Sequence, residues 1–165
     1  MRHIRLAALT ACLALMLTTS RLPAAGQDRD KPADEATALA VKLTTEGAAL
    51  FDTMNAKAMA DTYTEEGEIV MTLRGGDGNK KTERYVGRPE VEKHYGKLFE
   101  KPQTIKSRNH VEYAKLVAPD MLVIAGTFDV NTLQSDSPKV PFYQVRVKEG
   151  DKWLVSSMRI IVVLK

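Results

Sequence analysis

Apolar and polar positions alternate along this chain in two rhythms. From Leu39 to Met54 the apolar residues Leu39, Leu43, Ala48, Leu50, Phe51 and Met54 recur at helical spacing, with Asp34 and Glu35 placed to cap and charge the N-terminus. Gly47 interrupts this run and marks a bend or a close approach. Asn55 caps a second helix over Ala56–Tyr63, and a third runs from Pro89 to Glu100 behind the Gly87-Arg88 corner, with Val91, Tyr95, Leu98 and Phe99 turned inward. Between them Thr64–Gly67 reads as an acidic turn with Gly67 in the left-handed conformation. Glu68–Leu73 and Thr82–Val86 read as a small hairpin around the loop Arg74–Lys81. After Lys101-Pro102 the rhythm is that of strands: Thr104–Val117 with room for a bulge, Met121–Val130, Val140–Lys148 and Trp153–Val163. Asn131–Lys139 reads as an exposed connection and Glu149–Lys152 as a tight turn. The order predicts an α+β fold, with three helices packed on one face of a curved, mainly antiparallel sheet.

The first 26 residues stand apart. Met1–Arg5 is basic, Leu6–Thr19 is uncharged and apolar, and Arg21–Gly26 ends in small residues. This is the pattern of a cleaved signal peptide, and the apolar run is short for a membrane span. Leu9–Cys12 imitates a lipidation box, but apolar residues continue beyond Cys12. The expected organisation is a signal peptide at 1–26, a flexible leader at 27–33 and one domain at 34–165. The expected destination is the periplasm or the medium.

Composition narrows the chemistry. Of the 24 Lys and Arg residues, three (Arg2, Arg5, Arg21) precede residue 27, and the remaining 21 balance the 21 acids. A mature chain without net charge has no general attraction for phosphate backbones, so nucleic acid is not an expected partner. Nor is a membrane, once the signal is removed. The single cysteine, Cys12, lies in the signal. The domain therefore has no disulfide, no thiolate metal site and no cysteine nucleophile. Without a His/Cys cluster, neither a metal nor a cofactor is expected. The loop Arg74–Lys81 lacks the order of a phosphate cradle, and Glu65, Glu66 and Glu68 lack the order of a calcium loop.

Several features together resemble the NTF2-like superfamily, in its SnoaL-like or ketosteroid-isomerase-like (DUF4440-type) branch. They are Tyr63–Glu68, Gly87-Arg88 with Val91 and Tyr95, Leu98-Phe99, Pro119-Asp120, and Gly150 followed by Trp153-Leu154. The resemblance implies a cone whose sheet curls around the helices and leaves an apolar pocket, with the outer sheet face joining a homodimer. It also implies where chemistry would sit. The position of the isomerase branch's base is occupied by Met71, its acid position falls near Tyr143, and the first helix has no tyrosine. Dehydratase relatives use paired histidines, and neither His94 nor His110 has an evident partner. The residues thus supply no catalytic set of either kind, and whether the protein is an enzyme stays open.

Alternation from the Glu149–Lys152 turn places Tyr143, Val145, Val147, Leu154, Ser156, Met158 and Ile160 on one face, nearly all apolar, which is assigned to the core and pocket. Phe142, Gln144, Arg146, Trp153, Val155, Ser157 and Arg159 fall on the outer face. The candidate pocket residues are Tyr63, Tyr95, Asp129, Tyr143, Ser156 and Met158. The tyrosines read first as core packing, and Asp129 as a buried acid paired with Arg146 or Arg159. Arg88 reads as a structural clamp on the corner before the third helix. The leading expectation is an exported domain that binds a small apolar or amphipathic molecule. The alternatives are a SnoaL-like enzyme using Tyr143, Ser156 or Asp129 as polar handles, and a dimeric interaction module.

Overall fold

The computed structural model describes residues 30–76, 78–101 and 103–163; the proposed signal peptide lies outside them. Three helices, α1 (Asp30–Asp52), α2 (Ala56–Ala60) and α3 (Arg88–Leu98), pack on a six-stranded sheet. Its strands are β1 (Tyr63–Arg74), β2 (Lys80–Val86), β3 (Arg108–Ala118), β4 (Met121–Asp129), β5 (Lys139–Glu149) and β6 (Lys152–Val163). Their order is β2-β1-β6-β5-β4-β3, antiparallel except where β1 runs parallel to β6. The α+β architecture matches the sequence reading.

Several boundaries move. α1 begins at Asp30, within the expected leader and ahead of the expected cap at Asp34; Pro32 falls in its first turn, where a missing N–H is tolerated. α2 ends at Ala60, because Tyr63 already pairs with Val155 in the sheet. Gly67 is not left-handed, its conformation not being among the positive-φ glycines. It is needed for space: a Cβ there would lie 2.7 Å from the Val155 carbonyl oxygen and 3.0 Å from Tyr63 Cβ. The expected acidic turn is thus an irregular stretch of β1, where the register against β6 shifts between Tyr63 and Glu68.

The most buried edge of α1 consists of small residues, Ala36, Ala40, Thr44 and Ala48, followed by Phe51. Spaced at i, i+4, they let the helix lie close to the sheet. Asn109 Nδ2 donates to the Thr44 carbonyl at 2.9 Å, and Ser107 Oγ donates to Asp52 Oδ1 at 2.7 Å, fastening α1 to the start of β3. Leu39 and Leu43, which the periodicity predicts as core, sit one position aside and only half-buried.

The interior has two parts. One is aromatic: Phe51, Tyr63, Tyr95 and Phe99 are buried with Met59, Ile69, Val91, Ile105 and Val155. Phe51 meets Phe99, Phe128 and Tyr95 edge-on with centroids 5.2, 5.1 and 6.5 Å away. The other lies under α1 and gathers Ala36, Ala40, Leu122, Ile124 and Phe142. Leu98, expected inward, is exposed at the end of α3.

Candidate functional site

The face assignment of β5 and β6 has to be corrected. Phe142, Gln144 and Arg146 are buried, whereas Tyr143 is 41% exposed. Two causes act together. Ser156 is an extra residue, since Arg146 pairs with Val155 but Val145 pairs with Ser157. Trp153 and Val155 therefore share the inner face with Arg146, and beyond the bulge Met158 and Ile160 share it with Gln144 and Phe142. The inner face also carries a buried polar pair, so polarity could not mark the outside. Arg146 Nε donates to Gln144 Oε1 at 3.0 Å, and Nη1 donates to the Trp153 carbonyl at 3.3 Å.

Beside this pair a cavity of about 380 Å³ opens between α1, the α2–β1 junction and the β5–β6 turn. Its apolar walls are Leu39, Leu43, Leu50, Trp153 and Leu154, and its rim carries Lys42, Glu46, Asp61, Asp151 and Lys152. The α1 residues in the wall occupy one helical face, adjacent to the alanine edge that packs on the sheet. Gly47 lies on that face, and a Cβ placed there would come 3.9 Å from Arg146 Nη2. The absent side chain leaves room in front of the guanidinium.

Arg146 is the unusual element. It is 7% exposed, and none of the ion pairs among the described residues includes it. Burial pulls its pKa down from the usual arginine value, opposed by the Tyr63 hydroxyl, Glu46 and the Tyr95 hydroxyl. Glu46 sits on the exposed rim, beyond ion-pair distance. A buried cation without a counter-charge is destabilising unless something else supplies one.

The six candidate residues read from the sequence separate into different environments. Tyr63 and Tyr95 are buried with their hydroxyls 3.2 Å apart, and burial raises both pKa values, so they are neutral phenols. Met158 packs against both halves of the core. Ser156 Oγ donates to the Val145 carbonyl at 3.2 Å. Tyr143 is on the outer face. Asp129 ends β4 opposite Arg108 and Lys139, and its Oδ1 is buried without a hydrogen-bond partner among the described residues. Its expected partners are elsewhere: Arg146 is on the inner face and Arg159 reaches Glu68 at 3.8 Å. None of the six lines the cavity, and Tyr143, Ser156 and Asp129 do not converge on it as polar handles. Arg88 does act as a clamp, its Nε donating to the Tyr63 carbonyl at 2.8 Å. Met71 faces inward beside Ile160. His94 stacks on Tyr85 with centroids 4.3 Å apart, and His110 is exposed on β3. Among the described residues no three His, Cys, Asp or Glu side chains gather as a metal site would require. The residues that sequence reading missed are Arg146, Trp153 and Gly47. The available signal was the Gln144-Val145-Arg146 alternation inside an otherwise apolar strand.

No family model matches the chain, and no curated protein matches it. Solved structures do. An NTF-2 like protein of unknown function from Shewanella oneidensis is similar over 76% of this chain and 98% of its own, with a TM-score of 0.57 and 16% identity. The chain has the NTF2-like fold. A domain of unknown function with a cystatin-like fold from Nostoc punctiforme overlaps 79% of each chain at 11% identity and a TM-score of 0.56. A second cystatin-like protein from Nostoc punctiforme covers 78% of this chain and 90% of its own, at 15% identity and a TM-score of 0.51. In this NTF2-like chain the space enclosed by α2, α3 and β1 is occupied by aromatic rings, and the cavity described above lies beside α1 instead.

Proposed function

We propose that the protein is an exported, single-domain NTF2-like binding protein that takes a small amphipathic molecule into the cleft between α1 and the β5–β6 hairpin. The cavity carries this reading. Its volume of about 380 Å³ lies within the range of ligand pockets, and it sets an apolar wall of leucines and Trp153 beside Arg146, Thr62 and a charged rim, a lining suited to an amphipathic molecule. The basic and apolar leader of residues 1–26 supports export. Native mass spectrometry of the protein recovered from the exported fraction tests both parts. The expected result is a chain beginning at Gly26 or Gln27 that carries a small molecule, lost in Gly47→Leu, whose side chain would fill the cleft. Recovery of an unprocessed chain, or of a processed one with no bound molecule that also fails to take up 2-naphthamide, would overturn the corresponding part.

A homodimer formed through the outer sheet face is supported by a separate observation. Tyr113 and Tyr143 flank Ala125 in one row of that face, next to the Val123–Val145 pair and Met121, and both tyrosines and Met121 are exposed. Sedimentation equilibrium of the wild type and of Tyr143→Glu checks this: a dimer that Tyr143→Glu dissociates supports it, and a monomeric wild type rejects it.

A further inference from the structure

Arg146 is held on its Nε and Nη1 sides by Gln144 Oε1 and the Trp153 carbonyl, both uncharged. These two bonds fix the plane of the guanidinium. Nη2 is left turned toward Gly47 and the cavity, and it donates no hydrogen bond among the described residues. A guanidinium fixed in this way is a preorganised donor for an anionic oxygen, and it loses little freedom on binding one.

We infer that the cleft takes an amphipathic monocarboxylate, with the carboxylate on Arg146 and the apolar body between Trp153 and the leucine face of α1. This rests on the reading of the cleft as a ligand site. Charge on the rim is balanced: Glu46 and Asp151 face the opening alongside Lys42 and Lys152, and Asp61 is paired with Lys57 at 2.9 Å. The charge left to be met in the cleft wall is the single guanidinium of Arg146, which matches a singly charged carboxylate better than a phosphate dianion. At about 380 Å³ the cavity is near the small end of the range of ligand pockets, with room for a compact aromatic or short aliphatic acid. Leu39, Leu43 and Leu50 offer the body a hydrophobic surface, and the Trp153 ring offers a stacking partner.

The test compares 2-naphthoate with its neutral isostere 2-naphthamide, by calorimetry and by the indole N–H resonance of Trp153, the single tryptophan of the chain. The inference expects both probes to move that resonance and the acid to bind roughly ten- to hundredfold more tightly, the range for a charge-assisted hydrogen bond out of water. Arg146→Met should abolish the preference for the acid, bringing the two probes to similar affinities. Arg146→Lys should retain part of the preference. Equal affinities for the two probes in the wild-type protein would overturn the carboxylate assignment and leave the cleft as a ligand site. So would a preference for the acid that survives Arg146→Met. If neither probe moved the Trp153 resonance, the cleft reading would fail and the inference with it. The wild-type comparison decides the matter even if an Arg146 variant does not fold.

Discussion

The two ends of the interior use the same helices and sheet in opposite ways. Around α2 and α3 the space is filled by large rings: Phe51 touches three other aromatic residues, and the two buried phenols satisfy one another. Beside α1 the helix presents leucines and a glycine, and the strand behind them offers a guanidinium with no counter-charge. The first region is closed by packing, with its polar groups paired internally. The second keeps open volume and an uncompensated charge, the combination that a ligand relieves. In the proposed reading, side-chain volume and unmet charge, and not position in the fold, decide where the site lies.

Substitutions at the two ends should separate a filled region from an open one. The largest effect is expected at Phe51, because its replacement removes one partner from three ring contacts. Phe51→Ala should lower stability by about 3–5 kcal/mol in denaturant melts. A loss below about 1 kcal/mol would mean that the aromatic end is loosely filled and could itself admit a ligand. Next comes the phenol pair. Tyr63→Phe or Tyr95→Phe alone leaves a buried hydroxyl without its partner and should cost about 1–3 kcal/mol. The double variant removes both hydroxyls and should cost less than the sum of the single changes. Strict additivity in that cycle would show that the two hydroxyls are not coupled. At the cleft, Gly47→Ala should stabilise the protein by up to about 1 kcal/mol, since helix propensity rises and the new Cβ meets Arg146 at ordinary contact distance. Destabilisation would mean that the guanidinium crowds α1 and leaves no room in front of it.

The smallest effect is in the pH dependence. Burial against Tyr85 and Tyr95 lowers the His94 pKa below its ordinary value of 6.5, with Glu83 pulling the other way. The unfolded chain then binds the proton more readily than the folded one. The stability this provides is present above pH 6.5 and declines as pH falls toward the folded-state pKa. His94→Gln should flatten that part of the stability profile by a fraction of a kcal/mol. An unchanged slope would assign it to another group.

Much of the fold was legible because its signals are local. The capping asparagine, the Gly-Arg corner, the β5–β6 turn with Gly150 at positive φ and the apolar run of β4 all report on their own neighbourhood. Two features of the site were not legible, for physical reasons. A one-residue bulge inverts every side chain beyond it, and Ser156 carries no sequence mark as the extra residue. Assigning the apolar set of β5 to the interior assumed that the outer face is the polar one. Here Tyr143, Val145 and Val147 lie outside while Gln144 and Arg146 are buried as a hydrogen-bonded pair. The α1 cleft was hidden similarly: periodicity identifies the leucines as an apolar stripe, but the helix seats its alanines deepest on the sheet, and the half-buried leucines, packed against the edge of the core, also line open volume. The Arg88 clamp was legible because the corner it holds is adjacent in sequence.

Whether the open site lies beside α1, and not within the aromatic end, can be settled by mapping bound 2-naphthamide with nuclear magnetic resonance. The neutral probe reports on volume and not on charge. Shifts and intermolecular contacts are expected at Leu39, Leu43, Gly47 and Trp153, with the Phe51, Tyr95, Phe99 and Phe128 rings undisturbed. Contacts concentrated on those four rings, with the α1 leucines silent, would place the site in the aromatic end and contradict the assignment.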